Sequence, residues 1–315
     1  MRYGFGIDVG GTTVKLAFFD ETGLMLDKWE IPTNTENNGE HVLPDIAASI
    51  KTYLKEKYIA HTDIIGVGIG VPGPVSEDGV VNKCVNLGWG VKDLHSELSA
   101  LTGFPVKGGN DANVAALGEC WKGSGNGCKN MVMATLGTGI GGGVVLGGRI
   151  IAGTHGAGGE IGHMVLNPEE TEPCGCGKFG CAEQYCSANG SVRLTKRYLA
   201  SHDEATPLRE LEDLRCKDLF DAGGAGDPAA LKILDRYYDL LGQFLANISC
   251  TVDPEAIVLG GGVSKTGQSL VDGARKYYEK YAFHACRDTK ILLATLGNDA
   301  GAYGAFKLAL DAFGN

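Results

Sequence analysis

The sequence predicts an α/β protein with two related halves. Its 315 residues are enough for one large or two medium α/β domains. Residues 3 to 31 and 130 to 153 share one layout, in which short strands are joined by glycine-containing turns. Glycine occurs 49 times, about twice its average share of roughly 7 %. Many tight turns or close backbone approaches to a ligand are therefore expected.

The first half opens with a strand over residues 3 to 9, followed by a turn at Gly10 and Gly11. The backbone amides of this turn, beside the hydroxyls of Thr12 and Thr13, are suited to binding phosphate. Asp8, at the end of the strand, is suited to a hydrated Mg²⁺ ion. An ordinary glycine hairpin accounts for the same residues.

The next segments alternate between helix and strand. The pattern predicts a helix over residues 39 to 58, a strand from Ile64 to Val71, a helix over 93 to 102, and a strand from 105 to 108 leading into a helix. Asn86 and the aromatic Trp89, three residues later, are candidates for framing a sugar. Asp111 either caps the helix that it opens or acts as a general base at a strand end.

The second half repeats the layout. A strand from Met131 to Leu136 enters a turn over residues 137 to 143, where Gly137, Thr138 and Gly139 resemble a phosphate turn. Helices are expected at 188 to 200, 216 to 222 and 229 to 250. A strand at 255 to 259 then enters Gly260, Gly261 and Gly262, which leave room for a flat ring or a phosphate, or form a common α/β connection. Another helix at 267 to 281, a strand at 291 to 295 and a helix capped by Asn298 or Asp299 complete the chain.

Four metal-binding residue types lie within a short glycine-rich stretch: His163, Cys174, Cys176 and Cys181. A structural zinc site takes four thiolate or imidazole ligands in a tetrahedron, and the intervening glycines let the backbone turn sharply. The spacing favours zinc over unligated thiols, and Cys186 is a weaker substitute ligand. Glu160 and Glu183 flank the stretch, and they are either polyhydroxyl-binding carboxylates or solvated surface residues.

The composition also limits the partners. A formal net charge of −10 argues against nucleic acid, because phosphate neutralisation needs a basic face. We expect no membrane span and no signal peptide, which predicts a cytoplasmic protein. In that reducing compartment its ten cysteines favour thiolate and metal roles over disulfides.

In combination these motifs resemble the repressor, open reading frame and kinase (ROK) family of the actin-like sugar kinase superfamily. The resemblance spans the whole chain and is strongest in GNDAN at 109 to 113, LGTGIGGG at 136 to 143, GEIGH at 159 to 163 and CGCGKFGCAE at 174 to 183. It implies the ribonuclease H-like fold of actin-like ATPases, with duplicated βββαβαβα-type halves around an ATP and sugar cleft. We expect a small lobe from residues 1–120 and 300–315, and a large lobe from 121–299 that carries the zinc loop.

The resemblance also implies residue roles and an activity. Asp111 matches the catalytic base, and Asn86, Asn110, Asp111, Glu160, His163 and Glu183 match the sugar contacts. Asp8, Gly10, Gly11, Thr12, Lys15, Gly137, Thr138, Gly139, Gly260, Gly261 and Gly262 match the nucleotide motifs; His163, Cys174, Cys176 and Cys181 match the structural zinc ligands. The expected reaction is transfer of the ATP γ-phosphoryl group, with Mg²⁺, to the 6-hydroxyl of a hexose by a homodimer or homotetramer.

Glucose is the expected hexose, because the motifs look closest to those of bacterial ROK glucokinases. Kinases of N-acetylglucosamine, N-acetylmannosamine or fructose in the same family are the alternatives. A sugar-responsive repressor of this family carries an N-terminal DNA-binding module, which has no counterpart here because the first phosphate motif begins at residue 8. A sugar sensor without catalysis would have no need of Asp8 and Asp111.

Overall fold

The computed structural model describes residues 1–314, so Asn315, the last residue of the predicted small lobe, lies outside it. The strands are β1 (Tyr3–Val9), β2 (Thr13–Asp20), β3 (Met25–Pro32), β4 (Ile64–Val71), β5 (Val80–Val81), β6 (Lys92–Asp93), β7 (Val106–Asn110), β8 (Met131–Leu136), β9 (Ile140–Leu146), β10 (Arg149–Ile150), β11 (Ala256–Gly260) and β12 (Lys290–Leu293). The helices are α1 (Glu36–Gly39), α2 (Val42–Glu56), α3 (Leu94–Thr102), α4 (Asp111–Lys122), α5 (Glu183–Cys186), α6 (Ala188–Ser201), α7 (Cys216–Gly224), α8 (Pro228–Val252), α9 (Gln268–Tyr281) and α10 (Ala300–Phe313).

Two five-stranded sheets have the same strand order, which confirms the predicted duplication. The first runs β3-β2-β1-β4-β7 and the second β10-β9-β8-β11-β12. In each sheet, three strands consecutive in sequence lie side by side, followed by two strands that are reached through helices. Strands β1, β4 and β7 are parallel, as are β8, β11 and β12.

The chain divides into two compact units. The first comprises Met1–Lys129, Gly143–Gly159 and the chain from Leu296 onward; the second comprises Asn130–Gly142 and Glu160–Thr295. These bounds differ from the predicted lobe limits at residues 120 and 300. The division into functional lobes stays a prediction.

The first unit has a core between its sheet and helices α2 and α3. Alternate β1 side chains such as Phe5 and Ile7 are fully buried, and they pack with Ile46 and Ile50 from α2. The i, i+4 spacing of those isoleucines places one apolar face of α2 against the sheet. Helices α4 and α10 pack so closely that a Cβ added to Gly304 would lie 1.7 Å from the Val114 carbonyl oxygen.

The second unit is held by the long helix α8, which packs on α9. Tyr237 and Tyr278, one from each helix, are fully buried, and each hydroxyl donates to a backbone carbonyl. A smaller cluster of apolar residues from α7 and α8, including Leu219 and Ile233, closes the other side of α8. Within residues 1–314 we find no helix that combines the length and the hydropathy needed to cross a lipid bilayer.

One expected turn is shorter in the structure. The turn predicted over residues 137 to 143 ends at Gly139, because β9 begins at Ile140. Gly143 lies inside this strand, where a Cβ would lie 2.5 Å from that of Ala116. Glycine is therefore required there for close packing and not for a turn.

Candidate functional site

The carboxyl ends of β1, β4 and β7 place the first group of predicted residues along one sheet edge. Asp8 pairs in register with Gly70, and Gly70 with Gly109, next to Asn110 and Asp111. In parallel sheets ligands bind at this edge, because the strand ends and the following loops converge there. The structure thus brings Asp8 and Asp111 together on one side of the first unit, although 103 residues separate them in sequence.

Asn110, and not Asp111, is the N-cap of α4. Its side-chain oxygen accepts a hydrogen bond from the Asn113 amide at 3.1 Å, and its Nδ2 donates to the Gly73 carbonyl at 3.1 Å. The same Nδ2 donates to Asp111 Oδ1 at 2.9 Å, and the Ala112 amide donates to this oxygen at 2.8 Å. These donors orient the Asp111 carboxylate at the positive end of the helix, as a fixed proton acceptor requires.

The Asn86 segment lies near this carboxylate. Asn86 is exposed in a single helical turn, Val85–Leu87. Burial raises the pKa of the neighbouring Cys84 thiol, and the negative charge of Asp111 adds to the rise. Trp89 does not frame a ligand, since it is buried and its indole N–H donates to the Gly39 carbonyl.

The first phosphate-like turn is stabilised by its own backbone. The Gly10 amide donates to the Thr13 carbonyl at 2.9 Å, while Gly11 and Thr12 are exposed. Lys15 Nζ lies 3.6 Å from Asp8 Oδ2. Burial raises the pKa of Asp8, and this ion pair opposes the rise. A half-buried carboxylate beside a lysine at a strand end can hold a hydrated cation and a phosphate oxygen.

In the second unit two glycine turns meet at the carboxyl ends of β8 and β11. Gly260 pairs with Thr135, and Gly261 has a φ of +81° with its Cβ position 2.6 Å from the Leu136 oxygen. A side chain at Gly261 would separate the two strand ends, because both the positive φ and the close approach exclude it. The exposed Thr138 lies in the neighbouring turn.

A cavity of about 660 Å³ opens beside Gly262. It is lined by Ala188, Asn189, Val192, Asp213, Leu214, Arg215, Cys216, Lys217, Phe220, Asp221, Gly262, Val263, Lys265 and Thr266. Its lining combines apolar side chains with polar and charged ones such as Asn189, Arg215 and Lys265, which suits a flat heterocycle with attached polar groups. Apart from Gly262, the sequence predicted none of these residues for the site, because they come together only when distant segments pack.

The predicted zinc ligands converge in the second unit. The ligand atoms of His163, Cys174, Cys176 and Cys181 all lie within 4.8 Å of one another. The Cys176 and Cys181 sulfur atoms are 3.7 Å apart, and the Cys174 sulfur is 3.9 Å from His163 Nδ1. A tetrahedron with Zn–S bonds of about 2.3 Å has edges of about 3.8 Å, so these residues fit a zinc ion. Cys186 lies outside the group and is fully buried, with its pKa raised by that burial.

The carboxylates beside this cluster have different surroundings. Glu160 is exposed, with one oxygen 3.9 Å from His163 Nε2. His163 therefore directs Nδ1 to the thiols and Nε2 to an acidic, accessible side. Glu183 lies at the start of α5, and its Oε2 accepts a hydrogen bond from the Ile140 amide at 2.8 Å.

An ion cluster around the buried Glu170 fixes the loop of residues 163–181, which is called the zinc-binding loop below after its four predicted zinc ligands. Glu170 accepts hydrogen bonds from Arg197 at 2.9 and 3.0 Å and from the Tyr185 hydroxyl, and it lies 2.8 Å from Arg193. The Arg197 hydrogen bonds, aided by Tyr185 and Arg193, hold the pKa of Glu170 well below its ordinary value. The loop is therefore anchored to α6 independently of the thiols.

Known proteins resemble this chain over nearly its full length. The ROK family model matches residues 4–312. A glucokinase of Halalkalibacterium halodurans is 43 % identical over 96 % of this chain and 93 % of its own. An N-acetyl-D-glucosamine kinase of Vibrio atlanticus is 32 % identical over 97 % of this chain and 98 % of its own.

A solved structure agrees with these relatives. The ROK glucokinase of Streptomyces griseus, in complex with glucose and AMPPNP, is 31 % identical, with a TM-score of 0.74 over 98 % of this chain and 99 % of its own. The two sheets with matching strand order have the topology of the actin-like ATPase fold, as predicted. The chain belongs to the ROK family.

Proposed function

We propose that this protein is an ATP-dependent glucokinase that transfers the γ-phosphoryl group to the 6-hydroxyl of glucose, giving glucose 6-phosphate. The similarity to glucokinases over nearly the whole chain carries this assignment, and one of the similar proteins binds glucose with AMPPNP. The Asp111 carboxylate, oriented by Asn110 Nδ2 and the Ala112 amide, supplies the general base that the reaction needs.

In this mechanism the chain mainly aligns its substrates. Asp111 accepts the proton of the hexose hydroxyl as the phosphoryl group is transferred. Asn86, Asn110, Glu160, His163 and Glu183 bind the other hydroxyls. Asp8 would hold the Mg²⁺ ion of the nucleotide, and that ion offsets phosphate charge when bound.

The nucleotide occupies the glycine turns and the neighbouring cavity. Gly10, Gly11, Thr12 and Lys15 bind phosphate in the first unit, and Gly137, Thr138 and Gly139 do so in the second. Gly260, Gly261 and Gly262 lie on the adenosine side of the nucleotide, and Gly262 lines the cavity, whose apolar surface suits adenine. His163, Cys174, Cys176 and Cys181 would hold a structural zinc, which keeps the His163 ring in one orientation.

The test is phosphorylation of a sugar panel by the purified protein with ATP and Mg²⁺. We expect the highest kcat/KM with glucose, and much lower values with mannose, fructose, N-acetylglucosamine and N-acetylmannosamine. A preference for N-acetylglucosamine would instead indicate the function of the Vibrio atlanticus relative. Failure with every sugar would overturn the kinase assignment.

The biological setting follows from the proposed reaction. A kinase that consumes ATP and glucose is placed in the cytoplasm, and we propose a homodimer or homotetramer. Size-exclusion chromatography with light scattering measures the mass of the assembly. A monomer at assay concentration would contradict the proposed homodimer or homotetramer.

A further inference from the structure

The Gly137–Gly139 turn is bound on both sides by the segment that follows the zinc-binding loop. The Ala188 amide donates to the Gly137 carbonyl at 2.8 Å. On the other side, the Ile140 amide donates to Glu183 Oε2 at 2.8 Å. Only four residues, 184 to 187, therefore separate the two groups that hold the turn.

The hydrogen bond between the Ile140 amide and Glu183 lies in a tightly packed environment. Ile140 is buried, so its amide would lack a hydrogen-bond partner if the carboxylate were removed. A Cβ added to Gly139 would lie 2.1 Å from Glu183 Oε2. Glycine at 139 thus leaves the space in which the carboxylate reaches the strand.

The position of Glu183 is set by the zinc-binding loop. It follows the ligand Cys181 by two residues, and the intervening Ala182 amide donates to the Met164 carbonyl at 2.8 Å. Its other oxygen, Oε1, lies 3.7 Å from the sulfur of Cys174. A change in the cluster would therefore displace the carboxylate that holds the turn.

We propose that Glu183 is a positioning residue that links the zinc-binding loop to the Gly137–Gly139 turn, so that the zinc site controls the affinity for nucleotide phosphate. This role is additional to a sugar contact, since Oε2 is bonded to Ile140 and Oε1 remains for a hydroxyl. It rests on the proposed function, which assigns the turn to ATP.

The experiment is titration of the full-length protein with ADP, without sugar, by calorimetry, with zinc content measured for each variant. We expect Glu183→Ala to weaken ADP binding about tenfold, and Glu183→Gln, which keeps an acceptor oxygen, to weaken it less than about threefold. Glu169→Ala is the matched control, because this glutamate is exposed near the same loop. Its ADP affinity should equal that of the wild type.

Two further arms test the link itself. Gly139→Ala should weaken ADP binding as Glu183→Ala does, and the double variant should be no weaker than either single one, because both remove one contact. Removal of zinc with a chelator should weaken ADP binding in the wild type and have little further effect in Glu183→Ala.

The inference is overturned if Glu183→Ala retains zinc and binds ADP with wild-type affinity, or if the two substitutions weaken binding additively. In either case, glucose phosphorylation by the wild type would leave the proposed function standing. A Glu183→Ala variant that loses only glucose affinity would show that this residue acts on the sugar alone.

Discussion

Asp111 shows how much one carboxylate depends on its neighbours. Its Oδ1 accepts hydrogen bonds from Asn110 Nδ2 and from the Ala112 amide, while Asn110 caps the helix. The alternative left by the sequence, in which Asp111 is the cap, is therefore wrong. The carboxylate is held by donors and is still placed at the strand edge where ligands bind in parallel sheets.

Replacement of Asp111 by asparagine should abolish turnover and leave glucose binding nearly intact. The amide keeps the size of the side chain but cannot accept the hydroxyl proton, and loss of a general base lowers kcat by about 10²- to 10⁴-fold. Steady-state kinetics and glucose titration measure the two effects. Asp288→Asn, on an exposed aspartate, is the control. Near-normal turnover in Asp111→Asn would remove this residue from the mechanism.

At the scale of elements, the α4–α10 pair is built on glycine. A Cβ at Gly304 would lie 1.7 Å from the Val114 oxygen, and one at Gly118 would lie 2.1 Å from the Ala300 oxygen. These approaches bring the two helix backbones together in the first unit. Because α4 begins with Asp111, the packing also supports the site.

Gly304→Ala should destabilise the protein by about 1–3 kcal/mol, since the added methyl forces the helices apart. Gly224→Ala is a matched control, because this glycine is also helical and nothing lies within 4 Å of its Cβ position. Denaturant unfolding measures both variants. Equal stability of Gly304→Ala and the wild type would contradict the close packing.

Because Glu170 anchors the zinc-binding loop through its ion pairs, we expect the stability of the protein to depend on pH in the acid range. The Arg197 hydrogen bonds depress the pKa of Glu170 below its ordinary value of 4.5. A carboxylate whose pKa is lower in the folded than in the unfolded state stabilises the fold at pH values above its unfolded-state pKa. This contribution is lost as the pH falls through the folded-state pKa. We therefore expect the free energy of unfolding of the wild type to decrease, through the protonation of Glu170, as the pH drops below about 4.5.

Glu170→Gln should be less stable than the wild type at pH 7 by about 1–2 kcal/mol, because the neutral amide loses the charge-assisted bonds from Arg193 and Arg197, although Glu172 still pairs with both arginines. The difference should shrink as the pH is lowered from 5 to 3. Melting temperatures across that range, with Glu169→Gln as the exposed control, measure it. A constant difference at every pH would show that Glu170 carries no ionised pair.

At the scale of the whole molecule, repeated topology explains why the nucleotide motifs recur. Both sheets place a three-strand meander beside two strands reached through helices. In each case glycine turns follow the first strand of the meander, at Gly10 and at Gly137. Duplication thus supplies the two glycine turns that the proposed function assigns to phosphate.

Zinc should contribute to the stability of the whole chain. Structural zinc adds its binding free energy to folding, so chelation should lower the melting temperature by several degrees. Cys176→Ser, which removes the exposed ligand, should abolish zinc binding, whereas Cys250→Ser, on an exposed cysteine outside the cluster, should retain one ion per chain. Metal analysis of both variants decides the outcome. Full zinc content in Cys176→Ser would disprove the ligand set.

Features that depend on residues close together in sequence were predicted correctly. Strands such as Ile64–Val71 and Met131–Leu136 have the predicted bounds, because buried parallel strands are short apolar runs between turns. The cluster of His163, Cys174, Cys176 and Cys181 was identifiable because its three cysteines lie close in sequence, where glycine turns bring them together. The duplication was also predictable, because the pattern of short strands and glycine turns occurs twice in the sequence.

Contacts between distant residues were decided by packing and could not be inferred from periodicity. Glu183 accepts a hydrogen bond from the Ile140 amide 43 positions away. Asp299 occupies the predicted N-cap position of α10, but its carboxylate makes no capping hydrogen bond and instead pairs with Lys28 at 2.8 Å. Trp89 is buried against Gly39 although its neighbours are exposed. In each case a polar group bonds to a partner that is distant in sequence. The two groups are close in space only after the helices and strands have packed.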